Sequence, residues 1–175
     1  MTNRIFTPFP ILKTDRLILR QLVMTDDNEI FALRSDDSVN RYLDRHPSKS
    51  IEDARSFIQA ITENVRKNDS IYWAISLSSK LIGTICLFDF ADDNIKAEIG
   101  YELLPSYQGK GLMQEAASIV IEFGFQHIGL NSIEAYTHSE NQNSTRLLEK
   151  FNFKKQSPSK DNFDNSYIVF RLSKS

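Results

Sequence analysis

One segment, residues 97–137, constrains the fold of this 175-residue chain more than any other. It runs from a strand-like stretch, Ala97–Leu103, through a loop with two glycines to an amphipathic helical stretch, Leu112–His127. A short strand-like stretch, Ser132–Thr137, follows. Two strands connected through a helix are usually parallel neighbours joined by a right-handed crossover. The sequence therefore predicts a parallel pair of strands, with the glycine loop directly after the first of them.

The stretches before this segment predict antiparallel pairing. Ile71–Leu77 and Leu81–Ala91 are rich in β-branched and aromatic residues and are separated by Ser78-Ser79-Lys80, as in a hairpin. A further turn is predicted at Asp92-Asp93-Asn94, and Leu103-Leu104-Pro105 breaks the strand pattern as a bulged or splayed strand end would. The fold class is therefore α+β: a mixed, mostly antiparallel twisted sheet of six to seven strands, flanked by helices. The other predicted elements are a first strand at Arg16–Leu22, helices from about Asp26 and from Ser50, a helix at Asn141–Phe151, and strands at Phe153–Gln156 and Tyr167–Leu172.

Composition fits one compact domain, residues 1–175, and narrows its partners. The net charge is −2 and the basic residues are scattered, so we expect no nucleic-acid partner. No apolar stretch approaches the roughly 20 residues of a membrane span, and residues 1–10 lack an apolar signal core, so we expect a cytoplasmic protein without a membrane partner. Cys86 is predicted to be a buried structural thiol. His46, His127 and His138 show no metal-ligand spacing, so no metal is implied.

The glycine loop is suited to binding a phosphate group. Gly109 and Gly111 have no Cβ atom, so a ligand can approach their peptide groups closely. The helix that follows adds unpaired N–H groups and the positive end of its dipole, and Lys110 adds a full positive charge. Oriented backbone amides of this kind form cradles for phosphate or pyrophosphate.

Two common phosphate loops do not match this sequence. A Walker A loop needs Lys and then Ser or Thr after its last glycine, but Leu112 follows Gly111 here. A dinucleotide-binding fingerprint needs Gly or Ala three positions after Gly111, where Gln114 stands. A tight strand-to-helix turn with no ligand is the structural alternative.

The chain resembles the GCN5-related N-acetyltransferases (GNAT) over nearly its whole length. Their acyl-CoA signature, Gln or Arg, two residues, Gly, one residue, then Gly or Ala, falls on residues 108–113 (QGKGLM), with Met113 departing at the last position. Methionine at this position resembles a variant found in the RimJ/RimL branch, which acetylates ribosomal-protein N-termini. Thr14–Arg20 resembles that branch's opening strand, and Ala97–Tyr101 resembles its fourth strand. Asn141–Phe153 resembles the closing helix, with Asn152 where the family usually has Gly.

The resemblance implies a GNAT fold whose parallel strands splay around the pantetheine arm of acetyl-CoA, with the pyrophosphate on the glycine loop. Acetyl-CoA is the implied cosubstrate, and no metal is required. The implied cofactor-binding residues are Leu103, Gln108, Gly109, Lys110, Gly111, Leu112, Met113 and Asn141.

The resemblance also implies catalytic candidates. Glu98 falls where some members place a general base; the structural alternative is a solvated carboxylate or one paired with Lys96 or Arg171. Glu134 and Tyr136, on one face of the next strand, rank behind it. Many members carry a tyrosine seven residues after the position of Asn141, where it protonates the leaving thiolate. Here that position is Leu148. The branch offers a serine instead, which makes Ser144 the candidate acid. The structural alternatives are an exposed helix serine for Ser144 and a helix N-cap for Asn141.

The implied reaction is direct acetyl transfer to a primary amine. The first candidate acceptor is a protein N-terminal α-amine, such as that of a ribosomal protein. The alternatives are a small-molecule amine (an amino sugar, polyamine or amino-acid-like metabolite) and a non-catalytic acyl-CoA-binding module. The segment Asp36–Lys49, with Arg41, Tyr42 and His46, is the expected acceptor contact, and a surface loop at Ser157–Asn165 is a further one. The resemblance also suggests a homodimer.

Overall fold

The computed structural model describes residues 4–91, 93, 95–158 and 166–175. Residues 92 and 94 of the predicted turn and most of the predicted loop at residues 157–165 therefore lie outside the described residues. Within the described part of the chain, eight strands form one sheet in the order β1-β2-β3-β4-β5-β6-β8-β7. Their bounds are Leu12–Lys13 (β1), Leu17–Gln21 (β2), Ile71–Leu77 (β3), Lys80–Phe88 (β4), Lys96–Leu103 (β5), Ser132–His138 (β6), Lys154–Lys155 (β7) and Tyr167–Ser173 (β8).

Helices cover both faces of the sheet. They are Asp27–Ser35 (α1), Asp37–Asn40 (α2), Ile51–Arg66 (α3), Leu112–Phe123 (α4) and Gln142–Lys150 (α5). Helix α4 continues as a π-helical turn, Gly124–Ile128, and ends at Gly129, whose φ is +86°. Helix α5 is followed by Asn152 at φ +64°, a left-handed conformation that Asn tolerates. No helix in the described ranges is long and apolar enough to cross a membrane.

The predicted α+β class and mixed sheet are confirmed. Strand β1, a two-residue pairing with β2 at the edge, adds an eighth strand to the expected six or seven. The hairpin turn is tighter than predicted, because Lys80 pairs with Leu77 and leaves only Ser78 and Ser79 in the turn. Both serines have positive φ, as a two-residue type I′ hairpin turn requires.

Two apolar clusters hold the helices against the sheet. Helix α4 packs its buried residues against one face of the sheet. There Phe123 contacts the fully buried Trp73 edge to face, with ring centroids 5.5 Å apart. On the other face, Ile30 of α1 and Ile58 of α3 pack with Leu81 of β4. Burying side chains of this size stabilises the fold by about 1.5–3 kcal/mol each. The central strands are therefore rigid supports for whatever their ends carry.

The parallel pair is short, and it opens into a cleft. Strands β5 and β6 pair over three positions only, ending where Glu98 lies beside Glu134. Strand β5 continues to Leu103 on its other neighbour, β4, without a register shift, while β6 continues on β8. The broken pattern at Leu103-Leu104-Pro105 therefore does not mark a bulge within the β4–β5 pairing. The two strands splay beyond Glu98 and Glu134 and leave a gap between them.

Candidate active site

The glycine loop leaves β5 and enters α4 in the conformation that its sequence requires. Gly109 and Gly111 both have φ of +74°, a region that L side chains rarely adopt. Gly111 is the N-cap of α4 and has no side chain with which to satisfy the first-turn N–H groups. The Gln108 side-chain amide donates to the Leu103 carbonyl at 2.9 Å and ties the loop to the end of β5.

This loop fits a pyrophosphate. A Cβ atom at Gly109 would meet no heavy atom within 4 Å, so open space lies over its peptide groups. Residues Gln108 to Gly111 are exposed. Leu103 and Leu112 are buried and Met113 packs half-buried against the core, so these three can offer a ligand their backbone groups rather than their side chains. The donors present are thus amides and the Lys110 ammonium, which suit an anion.

A cavity of about 540 Å³ lies between the splayed strands. Glu98, Ser144 and Asn141 all line it, so the structure brings these three predicted residues together. The glycine-loop residues do not line this cavity. The remaining lining includes a group of aromatic side chains: Tyr42, Tyr72, Phe88, Tyr101, Tyr136, His138 and Tyr167. A volume in the range of about 300–1,000 Å³ is typical of small-ligand pockets.

Glu98 has the electrostatics expected of a base at neutral pH. Its carboxylate is half-buried, and it has no hydrogen-bond or ion-pair partner among the described residues. Burial raises the pKa of Glu98 to about 7, with added repulsion from Asp89 and Glu134 and a smaller opposing effect of Lys96. A pKa near the working pH is the best match for general acid–base catalysis.

The Glu134 carboxylate, unlike that of Glu98, is paired with two cations. Its carboxylate accepts from the Arg171 guanidinium, with Nε at 3.0 Å, and lies 3.3 Å from the Lys96 ammonium. Burial alone would raise the pKa of Glu134, but these two cations outweigh it and hold the pKa below its ordinary value. The two cations that could have paired with Glu98 therefore pair with Glu134 and leave Glu98 as the carboxylate able to take up a proton.

Ser144 lies in the first turn of α5, where Asn141 is the N-cap. The Asn141 side-chain oxygen accepts from the Ser144 N–H at 3.2 Å, which fixes the start of the helix. The Ser144 hydroxyl lies 2.7 Å from the Tyr101 hydroxyl. Burial raises the pKa of Tyr101 to about 12, against an opposing effect of the Ser144 hydrogen bond, so the phenol stays protonated. Leu148, at the position where the resemblance led us to look for a tyrosine, is buried in the core.

Sequence reasoning missed some of the cavity residues. Tyr101 belongs to a segment that was recognised, but its contact with Ser144 joins residues 43 positions apart and left no local signal. In the segment expected to contact the acceptor, Tyr42 lines the cavity, whereas Arg41 and His46 do not. Arg45 lines it instead and pairs with the buried Glu102 at 2.7 Å. This largely buried charged pair is part of the cavity wall.

Three neighbouring side chains of β3 and β4 differ in their surroundings. Tyr72 and Phe88 line the cavity, whereas Trp73 is fully buried in the core. Cys86 is a free buried thiol, as predicted, and burial raises its pKa, which makes it a poor nucleophile.

Comparisons with known proteins indicate the family of the chain. A family model described as an acetyltransferase (GNAT) domain matches residues 16–154. The uncharacterized N-acetyltransferase YoaA of Bacillus subtilis (strain 168) is 41% identical over 150 residues, 85% of this chain and 85% of that protein. The spermidine N(1)-acetyltransferase of Escherichia coli (strain K12) is 22% identical over 135 residues, 77% and 71% of the two chains. The solved structure of RimL, a ribosomal L7/L12 α-N-protein acetyltransferase in complex with coenzyme A, matches with a TM-score of 0.83 at 17% identity, covering 94% of this chain and 98% of that one.

Proposed function

Because the chain belongs to the GNAT acetyltransferase family, we propose that it binds acetyl-CoA on the glycine loop and transfers the acetyl group directly to a primary amine in the cavity. The observation that carries this proposal is that a carboxylate and a hydroxyl, which can play opposite roles in proton transfer, line the same cavity. Glu98 is a carboxylate poised to accept a proton, and Ser144 is a hydroxyl poised to donate one. Bound acetyl-CoA supplies an activated acetyl group and a thiolate leaving group.

Three side chains, Glu98, Ser144 and Tyr101, take part in the proton transfers of the proposed reaction. Glu98 takes a proton from the incoming ammonium, directly or through a water, so that the amine is nucleophilic. Ser144 gives a hydrogen bond or a proton to the departing sulfur, and Tyr101 holds the serine hydroxyl in place. No nucleophilic side chain needs to carry the acetyl group, since the Cys86 thiol is buried and its pKa is raised. A stable acetyl-protein trapped without an acceptor would contradict direct transfer.

The pH dependence of the reaction follows from the Glu98 pKa. Glu98 acts as a base only when ionised, and its pKa lies at about 7. We therefore expect kcat/KM to rise with pH through about 7 and then level off until the acceptor or another group titrates. The measurement is a pH–rate profile at subsaturating acceptor. A profile without an inflection between pH 6 and 8, roughly one unit on each side of that pKa, would reject Glu98 as the base.

Replacing Gly109 tests the donor site. Valine at φ +74° is strained, and its side chain would fill the open space over the loop. We expect Gly109→Val to weaken acetyl-CoA binding about tenfold or more, since strain of a few kcal/mol is added where the ligand sits. Isothermal titration calorimetry gives the dissociation constant. Gly129→Val is the matched control: its φ is also positive, at the far end of α4, so it should lower stability and leave acetyl-CoA affinity intact.

For the acceptor, we propose a protein N-terminal α-amine as the first candidate, supported by the fold shared with RimL. A small-molecule amine is the second, supported by the cavity volume and by the similarity to a spermidine N(1)-acetyltransferase. Release of coenzyme A is measured with peptides that have a free or a blocked α-amine, with polyamines and with amino sugars. Turnover of free but not blocked peptides favours the first candidate, and turnover of small amines alone favours the second. Acetyl-CoA binding without turnover of any amine favours a non-catalytic module.

A further inference from the structure

Arg16 lies outside the cavity and contacts the glycine loop. Its Nη1 donates to the Lys110 carbonyl at 3.1 Å, and its Nε donates to a carboxylate oxygen of Glu115, in the first turn of α4, at 2.7 Å. The Arg16 backbone N–H donates to the other Glu115 oxygen at 2.8 Å, and the Thr14 hydroxyl donates to the same oxygen. One short segment before β2 therefore holds both the loop and the start of the helix.

The bond to Lys110 fixes the direction of a neighbouring amide. In a trans peptide the carbonyl and the following N–H point in opposite directions. Because the Lys110 carbonyl points to Arg16, the N–H of Gly111 points away from it. Gly111 makes this peptide easy to rotate, since the rotation changes the φ of residue 111 and glycine accepts both signs of φ. Without Arg16, the chain itself supplies little resistance to a peptide flip that would present a carbonyl where an anion binds.

The same contacts change the charge at the helix start. A carboxylate in the first turn of a helix competes with an anionic ligand for the positive end of the dipole. Burial alone would raise the pKa of Glu115, but hydrogen bonds from Thr14 and Arg16 outweigh it and lower the pKa, so the carboxylate is charged. The Arg16 guanidinium neutralises that charge through its Nε contact with Glu115 at 2.7 Å, which leaves the Lys110 ammonium as the net charge of the loop.

We propose that Arg16 is a positioning residue of the donor site: it locks the Lys110–Gly111 peptide so that the Gly111 N–H faces the pyrophosphate of acetyl-CoA. This inference rests on the proposed function, because it needs acetyl-CoA to bind on the loop. Arg16 acts through the peptide and through Glu115, and its own side chain is about half exposed, at 47%. Substitution there is therefore compatible with folding.

The test compares two donors that differ in the part of the molecule that the loop would bind. S-acetylpantetheine carries the same acetyl thioester as acetyl-CoA but has no pyrophosphate. Dissociation constants are measured by calorimetry for acetyl-CoA and by ligand-observed NMR for S-acetylpantetheine. We expect Arg16→Gln to weaken acetyl-CoA binding about tenfold or more, the effect of losing a charge-assisted hydrogen bond. S-acetylpantetheine binding should change by less than about twofold.

Two further variants separate the positioning of the Lys110–Gly111 peptide from the general effect of removing a positive charge. Arg16→Lys keeps the positive charge, but one ammonium cannot reproduce the forked contact with Glu115 and Lys110, so it should also weaken acetyl-CoA binding. Arg66→Gln removes an arginine from an exposed ion pair with Glu63 on α3 and should leave both affinities unchanged. Wild-type affinity in Arg16→Lys, or equal losses for both donors in Arg16→Gln, would overturn the proposed lock. A wild-type protein that does not bind acetyl-CoA would overturn the lock and the proposed function together.

Discussion

Replacing Glu98 by glutamine is expected to lower kcat/KM at pH 8 by about 10²- to 10⁴-fold, the usual contribution of a general base. Glutamine has nearly the same shape, so the cavity and the donor loop stay in place and acetyl-CoA affinity is unchanged. The measurement is the rate of coenzyme A release at subsaturating acceptor. Glu122→Gln, which alters an exposed carboxylate on α4, is the matched control and should retain wild-type activity.

The same variant is expected to be more stable than the wild type at high pH. A carboxyl whose pKa is raised in the folded protein binds its proton more tightly there than in the unfolded chain. The wild type therefore loses stability as the pH rises from the ordinary range of a glutamate towards about 7, and Glu98→Gln does not. The difference in Tm should be small at pH 4 and grow towards pH 8. Loss of activity together with loss of stability at pH 8 would indicate a structural role for Glu98.

Replacing Ser144 by alanine is expected to lower kcat about a hundredfold, at the lower end of the range for acid–base groups. Acetyl-CoA affinity should change little, because the Asn141 cap that positions the helix does not use the serine hydroxyl. Tyr101→Phe should have a smaller effect, since the phenol acts on the sulfur only through Ser144. Ser56→Ala, an exposed helical serine on α3, is the control.

The double variant gives the sharper result. If Tyr101 acts through Ser144, the loss in Ser144→Ala/Tyr101→Phe should equal that in Ser144→Ala alone, so the two effects are not additive. Additive losses would show that Tyr101 contributes independently. Full turnover of Ser144→Ala at saturating acetyl-CoA would reject Ser144 as the acid.

Local signals accounted for the elements that build the site. Alternation and helical periodicity over residues 97–137 predicted the parallel pair and its crossover, because these patterns depend only on neighbouring residues. Asn152 adopts the left-handed conformation that its type suggested. The family resemblance singled out Glu98, Asn141 and Ser144 as site residues, and all three line one cavity; their roles stay predictions.

What the sequence could not show is which distant side chains meet. Lys96 and Arg171 were candidate partners of Glu98, yet both pair with Glu134, because pairing depends on side-chain paths across three strands rather than on spacing. The contact of Arg16 with Glu115 joins residues 99 positions apart. The Tyr101 and Ser144 hydroxyls meet in the same way across a long connection. These contacts set the charge and orientation of the site, and they depend on tertiary packing.

The most direct test of the account is the transfer of an isotope-labelled acetyl group from acetyl-CoA to an amine by the purified protein. Mass spectrometry identifies the product, and release of coenzyme A is followed in parallel for the wild type and for Glu98→Gln. We expect one labelled N-acetyl product per coenzyme A released, with a rate about a hundredfold or more lower in the variant. A wild-type protein that binds acetyl-CoA but acetylates no amine in the panel, or a variant as active as the wild type, would contradict it.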